Sequence, residues 1–207
     1  MSYLKEQYGL LKRFLYSGFG RILRWCALAM CAAIALGVVA GLLSPDIIDM
    51  VLAAFMEMVE DSGVVDQAGN LSVFALLANN WGAMLLAAAY GFIPFVFLPL
   101  VSLISNGFLI GLLLAWYHNN GVSLLLYLAG ILPHGIFELP ALVLSVACGV
   151  SLCINMCRIV TSSPKRLPQI SLLSDLLRVI VLLVAPLTVI AAVIECYVTP
   201  VIMGLFL

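Results

Sequence analysis

Apolar runs alternate with short polar interruptions along the chain, and the lengths of those runs set the expected elements. A helix crosses a bilayer with about 20 apolar residues. Runs of that order occupy residues 25–43, 136–157 and 176–198, and each predicts one span. Residues 81–117 form a longer stretch without Asp, Glu, Lys, Arg or His, nearly twice what one span needs. Gly91, Pro94 and Pro99 mark kinks in it, and Ser105-Asn106-Gly107 reads as a turn. The stretch therefore predicts two spans, 81–103 and 105–117. Residues 122–132 are apolar but only half the length of a span, which predicts a re-entrant segment between the polar loop at 118–121 and Pro133.

Two further segments are amphipathic instead of uniformly apolar. In residues 1–24, Leu4, Tyr8, Leu11, Leu15, Phe19 and Ile22 recur at helical spacing, with Lys5, Glu6, Lys12 and Arg13 off that stripe. This predicts a helix lying in the membrane interface. After the first span, Ser44, Pro45 and Asp46 spell a helix start: an N-cap, a proline at the first helical position and an acid in the first turn. The helix that follows carries Ile48, Val51, Leu52, Phe55 and Val59 against Asp46, Asp49, Glu57 and Glu60, too many charges to span. A polar turn at 61–70 and a short apolar piece ending at Asn79-Asn80 lead into the long stretch, and the one linker lies between 158 and 175. The expected fold is all-α: a polytopic transmembrane bundle of about five full spans, with interfacial and broken or re-entrant half helices, in a single membrane domain.

Charge then orients the bundle. Five of the nine Lys and Arg lie in the first 24 residues (Lys5, Lys12, Arg13, Arg21, Arg24), and the other four are Arg158, Lys165, Arg166 and Arg178. Residues 25–157 hold no Lys or Arg but seven of the ten acids. Basic segments beside spans stay cytoplasmic. Residue 1 and the loop 158–175 are thus expected in the cytoplasm of a multi-pass cell-membrane protein, with residues 44–80 and the C-terminus external. At 65% hydrophobic and 9% charged, the composition lies far from soluble domains, which carry about 25% charged residues. A net charge of −1 argues against nucleic acid as a partner; the lipid bilayer is the environment the composition requires. The six cysteines all fall in or beside apolar runs, where reduced thiols serve as small hydrophobes.

The sharpest local signal is Pro133-His134-Gly135-Ile136-Phe137-Glu138-Leu139-Pro140. On a helix, His134 and Glu138 share a face, and ionisable groups inside apolar sequence are costly and mark candidate function, with a mutual bond that pins a broken helix as the competing role. Glu195 is the other carboxylate deep in apolar sequence, and a bundle can bring it to the membrane side where Glu138 lies. Asn79, Asn80 and Asn106 complete the candidate intramembrane polar set, with structural cross-helix bonding as the competing role. Gly37-x-x-x-Gly41 and Gly107-x-x-x-Gly111 allow close helix approach, either within the chain or between copies in a homo-oligomer. No hydrolase, nucleotide-binding or haem signature occurs, so no catalytic residue and no cofactor is expected. A lone His-x-x-x-Glu pair supplies too few ligands for a catalytic metal, and no metal is assigned.

Phe74 with Asn79-Asn80, Asn106-Gly107 with Gly111, the segment from Leu132 to Pro140, and Ile194-Glu195-Cys196-Tyr197-Val198-Thr199-Pro200 together resemble the stage II sporulation protein M family. The likeness runs over roughly residues 20 to 204, and the ordered set is more specific than any one part. It implies a polytopic membrane protein. In spore formers the resemblance implies a scaffold that anchors cell-wall-degrading enzymes, hence membrane-associated or external protein partners. It assigns no chemical role to any residue. Two function classes therefore stand: a scaffold that docks partner proteins, and a channel or transporter for an ion or small solute with its site at interrupted helices.

Overall fold

The computed structural model describes residues 2–61, 72–162 and 170–206. Residues 62–70 of the expected polar turn, and residues 163–169 of the linker with Ser163, Pro164 and Pro168, fall outside them. Among the described residues there is no strand, and five helical segments are long and apolar enough to cross a membrane. The chain is an all-α polytopic bundle.

The first helix, α1 (Ser2–Leu15), and α2 (Gly18–Leu43) are separate, so the amphipathic stripe does not form one helix over 1–24. The break has a local cause: Ser17 adopts extended backbone and its Oγ accepts from the Phe19 N–H as the N-cap of α2. Leu11 and Phe19 are buried, whereas Leu4 and Tyr8 are exposed. Helix α2 ends at Ser44, and Pro45 opens α3 (Pro45–Asp61), the expected charged amphipathic helix, whose Ile48 packs on Leu112 and Ala115.

Helix α4 (Val73–Ala89), capped by Ser72, continues through a 3-10 turn at Tyr90–Phe92. It starts well before residue 81, and the chain then unwinds at 93–98 instead of at Ser105-Asn106-Gly107. Two prolines deny N–H donors to a helix there. Phe95 and Phe97 take positive φ (68° and 51°), a conformation that costs non-glycine residues about 1–2 kcal/mol. A later helix, α6 (Leu124–Thr161), covers this connection: Cys153 Sγ donates to the Ile93 carbonyl at 3.3 Å, and the Phe95 N–H donates to Cys157 Sγ at 3.1 Å. The expected turn at 105–107 lies inside α5 (Pro99–Asn119). Ser105 Oγ and Asn106 Nδ2 both donate back to the Ser102 carbonyl, 3.1 and 2.8 Å away, so these polar side chains are satisfied without leaving the helix.

After a tight turn with Gly121 at φ +66°, α6 (Leu124–Thr161) runs unbroken for 38 residues. Residues 122–132 are therefore not re-entrant; from Leu124 they are the first turns of the span expected at 136–157. Pro133 and Pro140 each remove one backbone bond, but neighbouring elements hold the helix on either side of them. Tyr127 donates to the Ile110 carbonyl of α5 at 3.0 Å, and Gly130 faces Met203. Every residue from Ala141 to Val150 is buried, which makes α6 the central helix. The last span joins α7 (Ile170–Val179) through a π turn, Ile180–Val184, to α8 (Ala185–Tyr197). Pro186 lacks the donor that would bond the Leu182 carbonyl, which favours that widened turn. A short α9 (Thr199–Met203) lies against α6.

The α2 and α5 pair carries the closest backbone approach. A Cβ on Gly37 would meet the Phe108 carbonyl oxygen at 2.1 Å, and one on Gly107 the Ala33 Cβ at 2.9 Å. Gly41 packs on Ala115 in the same seam, so both GxxxG motifs serve packing within the chain. Gly91 and Gly149 make a second such crossing, between the 3-10 turn and α6. At one end of the bundle lie the described Lys and Arg of α1, early α2, Arg158 and α7; Arg178 there donates to Gln7 Oε1 (2.7 Å) and pairs with Asp175 (2.6 Å). This is the basic end. The far end carries Ser44, Ser72, Ser123 and α9.

Candidate functional site

Helix α6 alone fixes the first pair. His134 and Glu138 are one turn apart, with Nε2 to Oε2 4.0 Å. The bundle adds a third group from α8: ligand atoms of His134, Glu138 and Glu195 all lie within 4.8 Å of one another. All three side chains are half-buried. The helices meet here because α8 packs along α6 and α9 turns across its early part. That turn delivers Thr199, buried, whose Oγ1 is 3.3 Å from His134 Nδ1. With Nδ1 engaged, Nε2 is the ring nitrogen presented to the carboxylates.

Electrostatically the cluster is unbalanced. Along α6, the next basic residue after Glu138 is Arg158, about 30 Å on at 1.5 Å per residue. Before Glu195 it is Arg178, about 25 Å back on the same rise. The described Lys and Arg side chains all lie toward the opposite end. Two ionised carboxylates at 4.8 Å repel by about 3–4 kcal/mol at an effective dielectric near 20. Relieving that repulsion therefore requires a proton or a cation drawn from outside the chain. The imidazole, the two carboxylates and the Thr199 hydroxyl form a mixed nitrogen and oxygen donor set suited to such a positive species.

None of Asn79, Asn80 and Asn106 makes a described hydrogen bond to the cluster. Asn79 is exposed, and Asn106 is spent on its own helix. Asn80 Nδ2 is buried without a hydrogen-bond partner, as is the neighbouring Trp81 Nε1. Asn119, at the end of α5, donates to the Gly41 carbonyl at 3.3 Å and so ties α5 to α2. Thr199 is the site residue that sequence reasoning missed. Its signal is a hydroxyl four residues beyond Glu195, beside a proline that starts a new helix.

Away from the cluster, an apolar groove of about 490 Å³ opens at the far end between α2, α5 and the start of α6, lined by Leu42, Tyr117, His118 and Val122 among others. A smaller, more polar one of about 310 Å³ lies between α3 and α5, bounded by Asp49, Trp116 and Asn119.

Compared with known proteins, the chain matches the profile described as "Stage II sporulation protein M" over residues 26–200. An uncharacterized protein of Methanocaldococcus jannaschii is 33% identical over 126 residues, covering 61% of this chain and 70% of that protein. No solved structure gives a significant match.

Proposed function

Because the chain belongs to the Stage II sporulation protein M family of multi-pass membrane proteins, we propose that it is a membrane scaffold that docks partner proteins on the face opposite its basic end. With the basic end in the cytoplasm, that face is external. It offers the amphipathic helix α3, with Asp46, Asp49 and Met50 exposed, and the two grooves beside it. Partners of the cell-wall-degrading class suit an external docking face, and no catalytic role is assigned to the chain.

One observation favours docking over transport: the interior of α6 on the basic side of Glu138. From Ala141 to Val150 it is buried, and its one hydroxyl, Ser145, donates to the Met84 carbonyl. The buried Thr188 of α8 is likewise taken up by the carbonyls of Val184 and Ala185, at 2.9 Å each. A permeation path needs polar groups or water continuing past the carboxylates. Close glycine seams on both sides of the bundle also oppose the sliding of helices that alternating access requires.

The His134, Glu138 and Glu195 cluster beside a helix with a π turn supports the second reading, a cation channel or transporter. Flux separates the two. Reconstituted into liposomes, the purified protein is expected to pass no ion or small solute above the level of empty vesicles. Robust flux that disappears in Glu138→Gln at unchanged thermal stability would overturn the scaffold assignment.

A further inference from the structure

We propose that His134, Glu138 and Glu195 bind one divalent transition-metal cation, joining α6 to α8 at the far end of the bundle. Three features of the chain lead there. The ligand atoms come from two helices and fall within 4.8 Å of one another. Thr199 Oγ1 engages His134 Nδ1 and leaves Nε2 facing Glu138; metal-binding imidazoles are likewise oriented by a hydrogen bond at their other ring nitrogen. The sequence supplies no Lys or Arg between residues 25 and 157, nor between 179 and 207, so two carboxylates in these segments have no protein counter-charge in their own part of the chain. A dication with a neutral imidazole neutralises the pair.

The donor set selects the metal class. One imidazole with two carboxylates suits Zn2+ or Mn2+; Ca2+ takes six to eight oxygen ligands, and Cu(I) favours sulfur. At bond lengths of about 2.0–2.2 Å, ligand atoms around a tetrahedral ion stand roughly 3.4 Å apart. Binding thus draws the outermost pair, up to 4.8 Å apart, inward by as much as about 1.4 Å, through side-chain rotation. A fourth position remains for a solvent or substrate oxygen. Such an ion fixes α8 to the central helix, and this holds whether the protein docks partners or moves cations.

The test is titration of Zn2+ into chelator-washed full-length protein in nanodiscs, read by calorimetry and by metal content. One Zn2+ per chain is expected, with affinity reduced about tenfold or more in His134→Gln and in Glu195→Gln, by loss of a ligand. Asp49→Asn, on the exposed face of α3, should bind as the wild type does. No saturable binding, or binding undiminished in Glu195→Gln, would overturn the proposal. Should those variants fail to fold, X-ray absorption of the Co2+-loaded wild type decides. One imidazole nitrogen with oxygen neighbours is the expected signature. Sulfur neighbours would put the metal on the six free cysteines and sink the assignment.

Discussion

Gly37 of α2 and Gly111 of α5 meet backbone to backbone: a Cβ on Gly111 would lie 3.0 Å from Gly37 Cα and 2.1 Å from the Ile34 carbonyl oxygen. In a bilayer, helices gain nothing from hiding apolar surface from one another, so such van der Waals approach is what associates them. Both obstructing atoms are backbone, and no rotamer change clears them. Gly111→Ala is therefore expected to force α2 from α5 and cost about 1–3 kcal/mol, the range for overpacking. Thermal denaturation in detergent, followed by size-exclusion chromatography, measures it. Gly82→Ala, which meets no atom within 4 Å, is the control. An unchanged melting temperature in Gly111→Ala would refute this account of the seam.

Orientation rests on charge alone and has a direct test. In a Cys-free background, a cysteine at Ser123, between α5 and α6, is expected to react with a membrane-impermeant maleimide in intact cells. One at Thr161, the last residue of α6, should react only after permeabilisation. Labelling of both from the same side contradicts the arrangement in which α6 crosses the membrane between them.

What the sequence made legible follows the physics of each signal. Span number could be read because the bilayer sets a length that apolar runs must meet, and His134 and Glu138 could be paired because one helical turn is a local rule. The breaks were harder. Ser105-Asn106-Gly107 has turn composition, yet its side chains bond the Ser102 carbonyl within α5. Pro133 has the character of a helix breaker, yet α5 and α9 hold α6 together around it. Conversely, Phe95 and Phe97 carry the positive φ that glycine normally takes, and only the cover supplied by Cys153 and Cys157 makes sense of them. The approach of Glu195 to Glu138 spans 57 positions of sequence and depends on how α8 packs, for which no local pattern exists.

Arg178 of α7 reaches α1 at the basic end through Gln7, and pairs with Asp175 on its own helix. Both members of the ion pair retain solvent access, about a quarter of each side chain, and pairs of that kind contribute about 0–1 kcal/mol. Arg178→Ala should thus leave the global melting temperature nearly unchanged while freeing α1 locally. Hydrogen exchange gives the readout: faster exchange confined to residues 2–15 is expected. Equal exchange in both proteins would mean that Leu11 and Phe14, packed into the core, hold α1 without Arg178.

The carboxylate pair gives the last expectation, a pattern of non-additivity. In protein stripped of metal, Glu138 and Glu195 face each other beside the His134 imidazole, with no Lys or Arg described at their end of the bundle. Removing either charge abolishes the same repulsion. Glu138→Gln and Glu195→Gln should each stabilise the metal-free protein by about 1–3 kcal/mol at alkaline pH, where both carboxylates are ionised, bounded above by the Coulomb term for two charges at that separation. The double variant should gain little beyond either single one, because contacting groups couple. Glu57→Gln, exposed on α3, should do nothing measurable. Thermal melts of the four proteins in one detergent complete the cycle. Additive gains would mean that the two carboxylates do not interact, and destabilisation by both single variants would mean that each carboxylate makes a bond its amide cannot replace.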